Sequence, residues 1–325
     1  MSEILQKICD PVRSELALVE ERLAALPRAR NKAVLEAVSA ILNAGGKRLR
    51  PALLLLAAKS CGCTTERGVH LAAAVELIHT ASLIHDDIID NADRRRGVAS
   101  INARAGNKIA VLAGDYVYAA VFGILAEDGD QEVMRTVAAA AAHMTDSEIA
   151  QTLCRNDARV TEEQYLSIIT GKTASLLSCA CRIGAMLGDT RNGETDTLAR
   201  YGLDLGMAFQ ITDDLLDLVG DEQDVGKPLG NDMREGRLTL PFIHTLRVAA
   251  QSDREWIATT FESRRLDERA LTRLSELVQK YGGIDYGRQR AAEYGQACKQ
   301  RLQALPASEY QASLALLVDY VMRRA

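Results

Sequence analysis

Residues 77–90 read Leu77-Ile78-His79-Thr80-Ala81-Ser82-Leu83-Ile84-His85-Asp86-Asp87-Ile88-Ile89-Asp90. With Leu71 and Val75 upstream, the apolar pattern predicts a helix from about Thr65 to about Asp90. That helix would end in an Asp-Asp-x-x-Asp cluster. Positions i and i+4 share a helix face, so Asp86 stacks on Asp90, while Asp87 sits about 100° around. Like charges in that arrangement cost a helix roughly 0.2–0.5 kcal/mol. The negative end of the helix dipole adds to the cost. The same pattern recurs at Thr212-Asp213-Asp214-Leu215-Leu216-Asp217, again after a strongly apolar helical stretch. Either cluster alone could be a solvated helix end. Two of them, each flanked by apolar residues, ask for a cation. Hard cations take oxygen ligands, and Mg²⁺ typically uses one or two carboxylates completed by water and phosphate.

The rest of the chain agrees with helices. None of the six prolines lies between Pro51 and Pro228, and aromatics make up only 4%. Ala, Leu, Glu and Arg, which favour helices, are abundant. An all-α protein with one sizeable core is expected. Helical segments are expected over about 3–26, to Asn43, from Arg50-Pro51 to Lys59, and over 106–127, 130–152, 162–188, 194–219, 234–250 and 254–262. Ala110–Leu125 and Thr173–Leu187 are apolar enough to be buried inside a bundle. Without a linker or a short repeat, a single domain over 1–325 is the simplest organisation.

Composition excludes several classes. Lys+Arg number 39 against 44 Asp+Glu, a net charge of −5, which argues against a nucleic-acid partner. No run of ~18 apolar residues predicts a membrane span, and the start of the chain is unlike a secretory signal. Seven cysteines fit a reducing cytoplasm rather than a disulfide scaffold. Cys61/Cys63 and Cys179/Cys181 fit small buried hydrophobes better than zinc ligands.

Basic residues lie beside the acidic clusters. Gly45-Gly46-Lys47-Arg48-Leu49-Arg50 enters a helix start, where backbone N–H groups favour phosphate. Asp93-Arg94-Arg95-Arg96-Gly97 follows the first cluster, and Gly226-Lys227-Pro228-Leu229-Gly230-Asn231-Asp232 follows the second. Arginine forks match phosphate oxygens, and lysine acts as a point charge. Any one such run could be a solvated loop. Their shared place beside carboxylates points to a diphosphate site.

With these motifs the chain resembles the all-trans isoprenyl (polyprenyl) diphosphate synthases. The similarity also takes in Leu77-Ile78-His79-Thr80, Gly114-Asp115-Tyr116, Gly171-Lys172-Thr173-Ala174, Gly206 through Asp217, and Asn231-Asp232 through Gly236-Arg237 and Pro241, in order. The resemblance implies an isoprenoid-synthase-type bundle of antiparallel helices around a deep central cavity. It implies Mg²⁺, three ions with substrate bound, held by Asp86, Asp90 and Asp213, with Asp87, Asp214 and Asp217 as ligands or supporting partners. It places isopentenyl diphosphate on Lys47, Arg50, His79 and Arg96. It places the allylic diphosphate on Arg95, Lys172, Thr173, Gln210 and Lys227. Arg237 stands where many relatives carry lysine and keeps the charge. His85 is expected to be structural, and Arg323-Arg324 either to close over the site or, as the favoured reading, to play no part.

In this family a bulky residue one turn before the first Asp motif stops product growth. Ala81 and Ser82 are small there, so a long product is expected, about C40 of the octaprenyl class, built on farnesyl or geranylgeranyl diphosphate and destined for a quinone side chain. A short-chain synthase, a terpene cyclase and a non-catalytic partner subunit are the alternatives. The last predicts degraded motifs, and a cyclase would not need Lys47, Arg50 and Arg96 together. The resemblance further implies a homodimer, through the apolar helix near 106–125. A long prenyl product would favour release near a membrane.

Overall fold

The computed structural model describes residues 3–26, 31–43, 45–95, 98–188, 190, 193–219, 230–263 and 266–324. They are almost entirely helical, as expected. The chain divides into two compact units, each drawn from separate stretches.

The first unit comprises Met1–Ala141, Leu176–Ala199 and Leu302–Leu316. It begins with α1 (Glu3–Cys9) and α2 (Arg13–Ala25), separated by a 3₁₀ turn at Asp10–Val12. The single helix expected over 3–26 is therefore broken, because Pro11 has no N–H to continue an α-helical ladder. There follow α3 (Lys32–Asn43), α4 (Leu49–Ser60) and α5 (Arg67–Ile89). Arg94–Arg95 and Val98–Ala99 pair as short antiparallel strands β1 and β2, a hairpin within the basic run that follows the first Asp cluster. Next come α6 (Ile101–Ala105), α7 (Asn107–Asp128), the start of α8 (Gln131–Leu153) and most of α10 (Ser175–Met186). Helix α5 packs along α7 and against α4 and α2. Leu53, Leu54 and Leu56 of α4 are fully buried, each worth about 1.5–3 kcal/mol. The thiols at 61, 63, 179 and 181 are free and buried, and burial pushes Cys179 up to about 12.

Helix α7 differs from expectation. Leu112 is 54% exposed and Phe122 66%. The helix is long and apolar enough to cross a membrane by composition, yet only a third of that stretch is buried. The stretch Thr173–Leu187, by contrast, is largely buried, as its composition suggested.

The second unit comprises Ala142–Ser175, Arg200–Arg301 and Leu317–Ala325. Helix α9 (Glu162–Ile169) starts on a capping box between Thr161 and Gln164. A π-turn over Thr170–Ala174 joins it to α10, so the expected helix over 162–188 carries an inserted turn. Helix α11 (Glu194–Val219) contributes to this unit from Arg200 onward. The helix expected over 234–250 is shorter. A one-turn helix α12 (Asn231–Arg234) is followed by loop, and α13 (Leu240–Val248) begins later, with Pro241 in its first turn. Helices α14 (Gln251–Glu262), α15 (Glu268–Lys280) and α16 (Gly283–Leu302) follow, and α17 (Glu309–Met322) belongs to this unit from Leu317 onward. Ile169, Met207, Ile211, Leu215, Phe242 and Phe261 centre the core of this unit.

Candidate active site

The first Asp cluster sits where α5 stops, and the stop is specific. Asn91 adopts a left-handed backbone, Asn91 N–H bonds to the Ile88 carbonyl at 3.3 Å, and Ala92 N–H bonds to the Asp87 carbonyl at 2.9 Å. This is a Schellman closure with asparagine in place of the usual glycine. Asp86 therefore lies in the last turn and Asp90 is its C-cap, both half-buried. Asp87 is different. It is 3% exposed, and its Oδ1 accepts from Arg95 Nη2 at 2.6 Å and Nε at 2.7 Å. Arg95 is held by strand β1, so the short hairpin that follows α5 supplies the cation for its buried carboxylate.

His79 is half-buried on α5, and its carbonyl accepts from Ser82 Oγ at 2.9 Å. Ala81 is fully buried. His85 has its Nε2 3.6 Å from Asp115 Oδ1 and its ring stacked on Tyr118. A Cβ at Gly114 would collide with this ring, which explains the glycine of Gly114-Asp115-Tyr116. Lys47 is exposed and Arg50 half-buried at the start of α4. Arg96 lies outside the described residues.

The second Asp cluster lies in α11 and has a similar layout. Asp214 is 5% exposed. Its Oδ2 accepts from the Tyr165 hydroxyl at 2.7 Å, and its Oδ1 from Gln210 Nε2 at 2.8 Å. Gln210 Oε1 in turn accepts from Thr173 Oγ1 at 2.6 Å. The chain Thr173–Gln210–Asp214–Tyr165 thus fixes the amide of Gln210. Burial pushes Asp214 up to about 7, with Asp213 and Asp217 adding to the rise and the two donors opposing it. Burial likewise raises Asp232 and the Tyr165 hydroxyl. Asp217 is used differently. Its two carboxylate oxygens accept the Asn231 and Asp232 N–H groups at 3.1 and 3.0 Å, and so it caps α12.

Asp213 is half-buried and pairs with Arg324 Nη2 at 3.1 Å. That corrects the expectation for the arginine pair near the chain end. Arg324 also lies over the rings of Phe209 and Tyr320, at 5.6 and 6.0 Å.

The π-turn carries Lys172 and Thr173. Side chains could not be added at Gly171, which abuts Ser147 and the His143 carbonyl, nor at Gly206, which abuts the Ala174 backbone. These two contacts bring α8, the π-turn and α11 together. Lys172 Nζ reaches Glu148 Oε2 at 2.5 Å and Gln151 Oε1 at 2.6 Å. Arg237 lies 2.9 Å from Glu235 and 3.6 Å from Asp232. Lys172, Thr173, Gln210, Asp214 and Arg237 all line one cavity of about 70 Å³. Lys227 lies outside the described residues.

The carboxylates offer hard oxygen donors of the kind Mg²⁺ takes. Among the described residues no group of three or more His, Cys, Asp or Glu is placed to hold a metal on its own. Asp86 and Asp90, one turn apart, fit an ion whose shell is completed by water and phosphate. Tyr165, Glu148 and Asp232 were missed as site residues. Tyr165 reads in sequence as one more apolar position beside Ile168 and Ile169, and Asp232 was visible only as part of the loop after the second cluster.

Comparison with known proteins shows the family of the chain. Residues 31–278 match the family model described as polyprenyl synthetase. The chain is 34% identical over 330 residues to the short chain isoprenyl diphosphate synthase of Methanothermobacter thermautotrophicus, covering 98% of the chain and 99% of that protein. It is 36% identical over 287 residues to the octaprenyl diphosphate synthase of Escherichia coli, covering 87% and 88%. A crystal structure of polyprenyl synthase from Caulobacter crescentus, complexed with calcium and isoprenyl diphosphate, superposes with a TM-score of 0.92 at 31% identity, covering 99% of this chain and 98% of that one.

Proposed function

The chain belongs to the polyprenyl synthetase family and is a prenyltransferase, and we propose that it elongates an allylic diphosphate by successive head-to-tail condensation with isopentenyl diphosphate. One observation carries this reading. In both Asp clusters the middle carboxylate is buried and committed to protein donors, Asp87 to Arg95 and Asp214 to Tyr165 and Gln210. Asp86, Asp90 and Asp213 are only half-buried and are the carboxylates read as facing a ligand. Two structural ends would not need the same economy twice. The Caulobacter polyprenyl synthase, complexed with calcium and isoprenyl diphosphate, supports a divalent cation and a prenyl diphosphate as ligands of the family.

Asp86, Asp90 and Asp213 would hold Mg²⁺, which when bound neutralises the diphosphate that leaves the allylic carbon. Lys172, Thr173, Gln210, Arg95 and Lys227 bind and orient that diphosphate. Lys172 must exchange its contacts with Glu148 and Gln151 for phosphate oxygen. Lys47, Arg50, His79 and Arg96 hold isopentenyl diphosphate, so its double bond is presented to the carbon losing diphosphate. The allylic C–O bond breaks, the new C–C bond forms, and a proton leaves to the released diphosphate. No side-chain base is required.

The product is read as long, of the octaprenyl class, because Ala81 and Ser82 put no bulk one turn before Asp86. It would serve a quinone side chain, made in the cytoplasm and released near a membrane. We read the chain as a single polyprenyl synthetase domain over 1–325, and the family match over residues 31–278, which takes in stretches of both units, supports this. The exposed apolar residues of α7, Leu112 and Phe122 foremost, suit a homodimer better than a bilayer, because Asp115 lies mid-helix. Light scattering would show twice the chain mass, and a monomer would refute this. Incubation with Mg²⁺, isopentenyl diphosphate and each allylic primer, with chromatography of the dephosphorylated products, tests the activity. Addition of only one or two units would favour the short-chain reading.

A further inference from the structure

Arg48 ends the Gly45–Arg48 loop, and its backbone is left-handed, with φ 48° and ψ 36°. A side chain carries a steric cost there, so the backbone alone would favour glycine. What arginine adds is its guanidinium. Nη1 donates to Glu76 Oε1 at 2.9 Å, and Nη2 to Glu20 Oε2 at 3.0 Å and to the Leu42 carbonyl at 3.1 Å. Nε donates to Glu20 Oε1 as well. One side chain thus ties the loop to α2, to the end of α3 and to α5. Glu76 is only 4% exposed, and a carboxylate there without a cation would be costly.

The pair sits between substrate-binding positions. Arg48 follows Lys47 and precedes Arg50 by two residues. Glu76 lies one helical turn before His79, so the two share a face of α5. The two segments joined by this buried ion pair are those that carry Lys47, Arg50 and His79.

We propose that Arg48, through its buried pair with Glu76, is a positioning residue for the isopentenyl diphosphate subsite. It holds the loop against α5 so that Lys47, Arg50 and His79 meet the diphosphate already arranged, and it does not touch substrate itself. This rests on the functional reading above. Without the pin, the loop would have to order as substrate binds. That cost falls on binding rather than on the chemical step.

The test is steady-state elongation by Arg48→Met/Glu76→Leu and by Glu20→Gln. The double variant removes both buried charges together, which such pairs tolerate far better than loss of one partner. Glu20→Gln weakens only the half-exposed arm. The expected result is a KM for isopentenyl diphosphate raised roughly tenfold in the double variant and by a smaller factor in Glu20→Gln, with kcat and the KM for the allylic primer within about twofold of wild type. An unchanged isopentenyl diphosphate KM in the folded double variant overturns the proposal, and so does an equal rise in both KM values. If the double variant shows no cooperative melt, the same split in Glu20→Gln decides. A wild-type protein that elongates nothing overturns the functional reading and this assignment with it.

Discussion

Tyr165 donates its hydroxyl to Oδ2 of Asp214 at 2.7 Å, and both residues are buried. The bond holds the middle carboxylate of the second Asp cluster from the side opposite Gln210. A hydrogen bond to a buried charged group is worth about 1.5–3 kcal/mol. Tyr165→Phe should lower stability by that order and slow elongation, since Asp214, which anchors Gln210 and through it Thr173, loses one of its two side-chain donors. Thermal melts and kcat measured on the same preparation check both effects. An unchanged melting temperature would mean that the bond contributes nothing.

The pH dependence of stability follows from Asp214. Its carboxyl is pushed up from 3.8 to about 7, chiefly by burial. The folded state therefore binds a proton that the unfolded state has lost between about pH 4 and pH 7. The stability this group contributes is fully present below about pH 4 and is lost as pH rises through about 7. Asp214→Asn keeps the shape and cannot titrate. Between pH 5 and pH 7.5 the wild-type melting temperature should fall relative to that of the variant. Parallel curves would contradict the raised value.

Arg324 pairs with Asp213, one of the carboxylates assigned to Mg²⁺. A partly exposed pair of this kind contributes roughly 0.2–1 kcal/mol, or at most about a fivefold effect on an equilibrium. Arg324→Gln should lower the Mg²⁺ concentration for half-maximal elongation by up to about that factor. Tighter Mn²⁺ binding, followed by electron paramagnetic resonance, should accompany it. Weaker metal binding in the variant would show that the arginine assists the site instead.

Ser82 is half-buried, one turn before Asp86, whereas Ala81 is fully buried. A large side chain at 81 would strain the core by about 1–3 kcal/mol, so Ser82→Phe is the cleaner test of product length. The variant should release a shorter prenyl diphosphate from the same primer. An unchanged product would place the limiting wall elsewhere.

The sequence told most where a physical period was explicit. Asp86 and Asp90 at i,i+4 located the end of α5, and the second cluster located α11. Reading failed where a single residue changed the local geometry. Pro11 broke the first helix, and an inserted π-turn at Thr170–Ala174 reset the face on which Lys172 and Thr173 lie. Tertiary partners were invisible for a different reason. Tyr165 looks like core until its hydroxyl is seen on Asp214, 49 residues away. Arg48 looked like one more cation in a basic loop, because neither Glu20 nor Glu76 is near it in the chain. Arg324 has no sequence neighbour that points to a role, and it reaches Asp213 across more than a hundred residues.

The most direct measurement is the chain length of the dephosphorylated products after incubation with Mg²⁺, isopentenyl diphosphate and farnesyl diphosphate. The account predicts repeated addition of isoprene units to an all-trans product of about the octaprenyl length, with none formed when Mg²⁺ is chelated. No unit added to farnesyl, geranyl or geranylgeranyl diphosphate would contradict it.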